Sequence, residues 1–165
     1  MPGKLIVAPN YVEFEGCLIY LGGPIQGSKN WQAEAIRITQ NHASDVNIAS
    51  PRREYLPGEF VYAKQVDWET HYLREAAKKG AVLFWLAKEF EHSCDRAYAQ
   101  TTRFEVGEWK VRHEVDNVRF VLGIEEGFTG ARYMRRRFSQ DCPKIKIFDS
   151  LEDTCIEAIK EARSV

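Results

Sequence analysis

Five short apolar runs alternate with longer segments of helical periodicity along the chain. The apolar runs are CLIYL (17–21), VNIAS (46–50), AVLFWL (81–86), VRFVLG (118–123) and KIKIF (144–148), and the helical patterns cover about 29–43, 62–79, 101–113, 130–138 and 151–163. Strands that alternate with helices form a parallel sheet covered by helices. We therefore predict a single α/β domain over residues 1–165, with a flavodoxin- or Rossmann-like doubly wound sheet of five parallel strands in the order 2-1-3-4-5 and helices on both faces.

The charge balance and the cysteine pattern exclude several classes of protein. The 165 residues carry 23 basic and 24 acidic side chains, so no basic excess indicates a nucleic-acid polymer as a partner. No apolar run approaches the roughly 20 residues of a membrane span, and the N-terminus lacks the apolar segment of a signal peptide. The four cysteines form no C-x-x-C pair and have no histidine at zinc spacing. These patterns predict a cytoplasmic protein with reduced thiols, no metal site and no membrane partner.

The glycine-rich segment GGPIQGSK, residues 22–29, lies between the first predicted strand and the first predicted helix. It departs from the nucleotide-binding P-loop, G-x-x-x-x-G-K-[ST], because Ser28 comes before Lys29. The exchange turns each side chain by about 100° around the helix, away from the phosphate and the Mg²⁺ that it would bind. The dinucleotide fingerprint G-x-G-x-x-G is absent as well, since Pro24 occupies the position of its second glycine.

The same turn has two remaining interpretations. In the first, Gly22 and Gly23 let a ligand approach the backbone closely, because they lack a Cβ atom, and the helix start offers free N–H groups to an oxygen-rich ligand. Tyr20, at the end of the strand, would direct its hydroxyl to the same place. In the second, the segment is a tight connection with no ligand.

A carboxylate lies on an apolar helix stripe in the segment QVDWETHYLREA, residues 65–76. Val66, Glu69, Leu73 and Ala76 follow one another at helical spacing, so Glu69 faces the core, where an unpaired carboxylate is costly. Either a basic side chain neutralises Glu69, such as an arginine of SPRREY, or Glu69 is an acid held in a pocket with an altered pKa.

A second carboxylate occurs in the segment AQTTRFEVGEW, residues 99–109. Thr102 and Glu105 match the capping box T-x-x-E, which predicts Glu105 in the first turn of a helix, where the dipole stabilises an ionised carboxylate. Glu105 is then either a cap alone or a nucleophile, since an ionised and oriented carboxylate is what attack on a sugar carbon requires. Glu105 and Glu69 together suit glycosidic chemistry, in which one carboxylate attacks and the other handles protons or sugar hydroxyls.

Five motifs occur in a fixed order along the chain: IYLGGPIQG, QVDWETHYL, AVLFWL, TTRFEVGEW and VLGIEEGFTGARYM. With this order and spacing, over about residues 17–148, the chain resembles the nucleoside 2-deoxyribosyltransferases and the related N-glycosidases of deoxynucleoside monophosphates. The resemblance implies a flavodoxin-like fold without a cofactor. It implies deoxynucleoside and free nucleobase substrates, and a homo-oligomer whose sites are completed by a neighbouring subunit.

The resemblance also implies a role for each matching residue. Glu105, which precedes the glycine of E-V-G, would attack C1′ of a 2′-deoxynucleoside and form a covalent deoxyribosyl-enzyme. A second base would then take the sugar with net retention. Tyr20 would orient Glu105, and Glu69 would serve the base or the sugar at a position where the family usually has an aspartate.

Two positions depart from the family pattern. Arg132 stands near the place of a familiar asparagine of the neighbouring subunit, so the contact to the 5′-hydroxyl must differ, and Ala99 stands where an aspartate often contacts the base. Core packing is the simpler role for Trp31, although it could stack on a base. The candidate substrate-binding residues are Gly22, Gly23, Pro24, Gln26, Trp31, Asp67, Arg103 and Arg132.

Three functions are compatible with these residues, and transfer of 2-deoxyribose between nucleobases is the one that we predict first. In the second, water replaces the second base, and the protein hydrolyses deoxynucleosides or their 5′-monophosphates. A phosphate would then need a cradle, for which Ser28, Lys29 and Arg103 are candidates. In the third, the protein binds a nucleotide or ADP-ribose without catalysis, and the two glutamates are a cap and an ion pair.

Overall fold

A computed structural model describes residues 2–54 and 58–164 of the chain. The strands of the described part are β1 (Leu5–Val7), β2 (Leu18–Gly22), β3 (Asn47–Ser50), β4 (Gly80–Leu86), β5 (Phe120–Ile124) and β6 (Ile147–Phe148). Its helices are α1 (Trp31–His42), α2 (Tyr62–Lys79), α3 (Gln100–Asp116), α4 (Ala131–Asp141) and α5 (Leu151–Ala162). The strands form one sheet in the order β1-β3-β2-β4-β5-β6, and every neighbouring pair is parallel.

The predicted doubly wound α/β fold is confirmed, but the sheet has six strands rather than five. The additional strand, β1, pairs with β3 at the edge, and the order of the sheet changes accordingly. The five predicted strands keep their relative order inside this larger sheet. The sequence did not indicate β1 because the strand has three residues and only Ile6 is buried, which is too short a pattern to show a period.

The side chains of the strands alternate between two cores, one on each face of the sheet. In β2, Tyr20 belongs to the core beneath α2, α3 and α4, whereas Leu21 belongs to the core beneath α1 and α5. The central strands β2 and β4 are buried along their whole length, as their nearly continuous apolar sequences predict. Side chains that follow β2, β3 and β4 therefore meet at the carboxyl edge of the sheet, where α/β folds place their ligands.

The helices begin in different ways. The side chains of Asn30 and Ser150 cap α1 and α5, accepting hydrogen bonds of 3.1 Å from the N–H groups of Ala33 and Asp153. In contrast, α3 begins after Ala99, a residue with a left-handed backbone that provides no side-chain cap. None of the helices in the described ranges is long and apolar enough to span a membrane.

Candidate active site

A cleft of about 600 Å³ opens at the carboxyl edge of the sheet, between the loop that follows β2, the start of α2 and the start of α3. Six of the predicted site residues line it, namely Tyr20, Gly23, Pro24, Gln26, Glu69 and Glu105. They come from three separate parts of the chain. The fold thus brings both predicted acids and the tyrosine to one place.

The two carboxylates face the cleft from different helices, Glu69 from α2 and Glu105 from α3. Burial raises the pKa of the Glu105 carboxyl to about 8, and the negative charges of Glu69 and Glu108 add to this rise. Burial also raises the pKa of Glu69. Because the charge of Glu69 opposes the ionisation of Glu105, Glu105 keeps its proton at neutral pH and the two carboxyls titrate as a coupled unit.

Glu69 accepts a hydrogen bond from an amide, and Arg52, one of the two arginines (Arg52 or Arg53) that the sequence suggested as its partner, binds elsewhere. The Gln65 Nε2 atom donates to Glu69 Oε1 over 2.8 Å and to the carbonyl of Pro51 over 3.1 Å. This hydrogen bond lowers the pKa of Glu69 and partly opposes the effect of burial. Arg52 donates to the Lys29 carbonyl and to a glutamine side chain on α1.

Tyr20 lies at the floor of the cleft and is 1% exposed. Burial raises the pKa of its phenol well above the usual range, and the charges of Glu105 and Glu69 act in the same direction. The phenol is therefore neutral and available as a donor beside both acids. The hydrogen bonds within the described residues do not include one between Tyr20 and Glu105, and the two side chains interact through the charge of Glu105, which raises the pKa of the phenol.

The predicted capping box is wrong. Helix α3 begins at Gln100, after the left-handed Ala99, so Thr102 is the third helical residue and Glu105 belongs to the second turn. The N–H of Arg103 already donates to the Ala99 carbonyl over 2.9 Å. Glu105 thus lies beyond the reach of the N-terminal dipole, and burial determines its pKa instead.

At the glycines of the turn, other groups of the protein, and not a ligand, occupy the space that a Cβ atom would fill. A Cβ on Gly22 would lie 2.5 Å from the ring of Phe84, and Gly22 does not line the cleft. Gly23 does line it, but a Cβ there would lie 2.3 Å from the carbonyl oxygen of Trp85. Trp31 is buried against Gly23 on the other face of the sheet, where its Nε1 donates to the Pro24 carbonyl over 2.8 Å.

Five candidate substrate-binding residues therefore lie outside the cleft. Besides Gly22 and Trp31, these are Asp67, which is exposed on α2, and Arg132, which is exposed at the start of α4. Arg103 donates to the Thr129 carbonyl over 2.7 Å and stacks on a phenylalanine ring, which joins α3 to the loop after β5.

The cleft also contains residues that the sequence did not indicate. Phe60, Tyr62 and Val66 form an exposed apolar wall at the start of α2, and Arg96 reaches the opposite side from the loop after β4. Gln65 precedes Glu69 by four residues, so their shared helix face could have been recognised from spacing. Arg96 follows no periodic pattern, and its position depends on how its loop packs.

No protein-family model matches the chain, and no curated protein matches it. The arrangement of side chains in the cleft is consequently the main basis for assigning a function.

Proposed function

We propose that the protein is a nucleoside 2-deoxyribosyltransferase in which Glu105 is the nucleophile. The observation that carries this proposal is the pair of half-buried acids, Glu69 and Glu105, which line one cleft together with a neutral tyrosine. The cleft volume of about 600 Å³ falls within the range that small-molecule sites occupy, and its walls are partly apolar. The ordered motifs that resemble the family support the same assignment.

The proton shared by the pair gives each acid a role. Glu69 accepts the proton from Glu105, and the Glu105 carboxylate then attacks C1′ of the bound 2′-deoxynucleoside. As the bond from C1′ to the base nitrogen breaks, its electron pair goes to the base, and Glu69 donates the proton there. A second base reverses these steps at the covalent glutamyl-deoxyribose, and two displacements give net retention.

The apolar wall at the start of α2 is the proposed contact for the nucleobase. The rings of Phe60 and Tyr62 lie edge to face with centroids 6.5 Å apart, and both side chains are exposed toward the cleft. Aromatic surfaces of this kind stack on the flat face of any nucleobase, because stacking does not depend on the base's hydrogen-bond donors and acceptors. This wall takes the place of Trp31, which the sequence suggested as a possible stacking partner for the base.

We further propose that the protein forms a cytoplasmic homo-oligomer through an apolar stripe on α3. Phe104 is 73% exposed and Val115 is 72% exposed, and with Val111 they lie on one side of the helix. Gly107 lies between them, and a Cβ there would meet nothing within 4 Å, so another chain can approach closely. A second copy packed on this stripe would contact the helix that carries Glu105, although the stripe itself does not line the cleft.

Incubation with deoxyadenosine or deoxyinosine, with and without a second free base, tests the proposal. Chromatography should detect a new deoxynucleoside only when the second base is present. Glu105→Ala should abolish its formation and leave the fold intact, whereas Glu126→Ala, an exposed residue outside the cleft, should change nothing. Free deoxyribose formed without dependence on the second base would instead show hydrolysis of the same intermediate. Absence of any turnover would refute both enzymatic assignments.

A further inference from the structure

A hydrogen bond joins two side chains at the rim of the cleft. Arg96, in the loop between β4 and α3, donates from its guanidinium to the side-chain oxygen of Gln26, in the loop after β2. Both residues line the cleft and are exposed, whereas Tyr20 at the floor is buried and Glu105 is half-buried. The pair therefore faces the part of a substrate that extends from Glu105 toward solvent.

Contacts between the two loops hold this pair in place. The Gly27 carbonyl accepts from the N–H of Phe90 over 2.8 Å, and the Lys29 ammonium lies 4.8 Å from the centre of the Phe90 ring. The Ser28 hydroxyl donates to the Pro24 carbonyl over 2.8 Å within its own turn. Ser28 and Lys29, which the sequence suggested as a cradle for a phosphate, thus stabilise the loops and do not line the cleft.

The hydrogen bond leaves donors free on both side chains. A guanidinium carries several N–H groups and no acceptor. The Gln26 amide directs its oxygen to Arg96, and no group in the described ranges accepts a hydrogen bond from its Nε2 atom. Rotation of this amide by 180° would place its NH2 group against the guanidinium, where both partners are donors, so Arg96 fixes the orientation of the amide. The pair consequently presents N–H donors to the cleft.

The rim has no carboxylate that could accept a hydrogen bond from an amino group. Of the residues that line the cleft in the described part of the chain, Glu69 and Glu105 are the only acids. Both act at the bond between sugar and base in the proposed function. Ala99 lines the cleft with a methyl group at the position where an aspartate often contacts the base in the family that the sequence resembles. The side chains of the rim are therefore rich in donors and lack an acidic acceptor.

Nucleobases differ at the edge that lies away from the sugar. Hypoxanthine and guanine carry a carbonyl oxygen at position 6, and uracil and thymine carry one at position 4, whereas adenine and cytosine carry an amino group at these positions. A carbonyl oxygen accepts hydrogen bonds from the N–H donors of the rim. An amino group would leave those donors without a partner, which is costly once the bound base has displaced water from them.

We propose that Arg96 and Gln26 bind this carbonyl and make the cleft selective for nucleosides of 6-oxopurines and 4-oxopyrimidines over their amino counterparts. This inference rests on the proposed function, because it places the sugar at Glu105 and the base against the wall of Phe60 and Tyr62. The outer edge of a base held in this way points to the rim, where the two side chains meet it.

Calorimetry on the full chain carrying Glu105→Gln measures binding without turnover. The probes form two matched pairs, deoxyinosine with deoxyadenosine and deoxyuridine with deoxycytidine, and the members of each pair differ at the oxo or amino position. We expect the oxo member of each pair to bind at least about 10-fold more tightly, because hydrogen bonds from a charged donor are strong. Equal affinities within a pair, a preference for the amino member, or no binding of any of the four nucleosides would overturn the proposal.

Two variants identify the residues responsible. Arg96→Met keeps much of the length of the side chain and removes its donors, so it should weaken the binding of deoxyinosine roughly 10-fold and leave that of deoxyadenosine unchanged. Gln26→Glu keeps the shape of the side chain and replaces Nε2 by an oxygen, so it should reduce the preference for deoxyinosine roughly 10-fold. Matched changes at exposed positions of α4, Arg136→Met and Gln140→Glu, should alter neither affinity. An equal loss for both nucleosides would show that the pair only holds the loops together and would refute the assignment.

Failure of this inference can be distinguished from failure of the proposed function. Turnover of deoxyinosine and deoxyadenosine through Glu105, with equal affinity for both, would refute the base selectivity alone. Selective binding of the oxo nucleosides without turnover of any nucleoside would support the role of Arg96 and Gln26 and refute the transferase.

Discussion

The buried carboxyl of Glu105 makes the stability of the fold depend on pH in a predictable direction. A rise in pKa from 4.5 to about 8 means that the folded chain binds one more proton than the unfolded chain between these values. Stability from this group is therefore fully present below about pH 4.5 and is lost as the pH rises through about 8. The full shift corresponds to roughly 4–5 kcal/mol, and solvent in the open cleft screens part of it.

Glu105→Gln removes the titration and keeps the volume of the side chain, so it isolates this effect. We expect wild type and variant to have similar free energies of unfolding near pH 5, where Glu105 is protonated. Between about pH 5.5 and 8.5 the variant should become more stable than wild type by roughly 2–4 kcal/mol. Urea unfolding followed by circular dichroism at several pH values measures the difference, with Glu126→Gln as the control for an exposed carboxylate. If the wild-type and Glu105→Gln curves stay parallel over this range, Glu105 is not the buried acid described above.

Three further outcomes follow from the same geometry. Glu69→Gln should lower the pKa of Glu105 by removing a negative charge, and an NMR titration of the Glu105 carboxyl in the two proteins should show the difference; an unchanged pKa would contradict the coupling. Gly23→Ala should lower the free energy of unfolding by about 1–3 kcal/mol in urea titrations, because its φ of +151° suits glycine and a Cβ would collide with the Trp85 carbonyl; wild-type stability would contradict this packing. Phe104→Glu should reduce the mass measured by light scattering, and a mass equal to that of wild type would exclude the α3 stripe as the interface.

The strand–helix alternation predicted the fold because both signals extend over many residues. Runs such as that of β4, buried along seven residues, indicate a central strand without reference to the rest of the chain. The three residues of β1 carry no comparable signal, and their pairing with β3 depends on tertiary contacts alone. Sequence thus predicts the elements that are long and periodic and misses the short edge strand.

Prediction of the site was less complete, since a residue type does not reveal which face its side chain takes. The sequence suggests Gly22 as a ligand contact because it lacks a Cβ atom, and Trp31 because its ring could stack on a base. In the structure Tyr20 points toward α2 and α3, whereas Trp31 packs in the opposite core and Gly22 accommodates the Phe84 ring. The alternation of sides along β2 and the position of α1 decide this outcome, and neither can be obtained from the motif GGPIQG alone.

The hydrogen bond from Gln65 favours the charged form of Glu69 and is absent at Glu105, whose pKa burial raises most. Gln65 is 7% exposed, and its Nε2 donates both to the Pro51 carbonyl and to Glu69 Oε1. The Pro51 carbonyl has no hydrogen that it could donate to the amide oxygen. Rotation of the amide by 180° would place its oxygen against the oxygen of the Pro51 carbonyl, which is repulsive. Glu69 therefore faces the N–H donor of the amide, and this donor favours the ionised form of Glu69. The proton of the pair then resides on Glu105. Under the proposed mechanism, Glu105 becomes a nucleophile only when its proton passes to Glu69. Glu69 then donates the same proton to the leaving base, so one proton transfer both ionises the nucleophile and protonates the general acid.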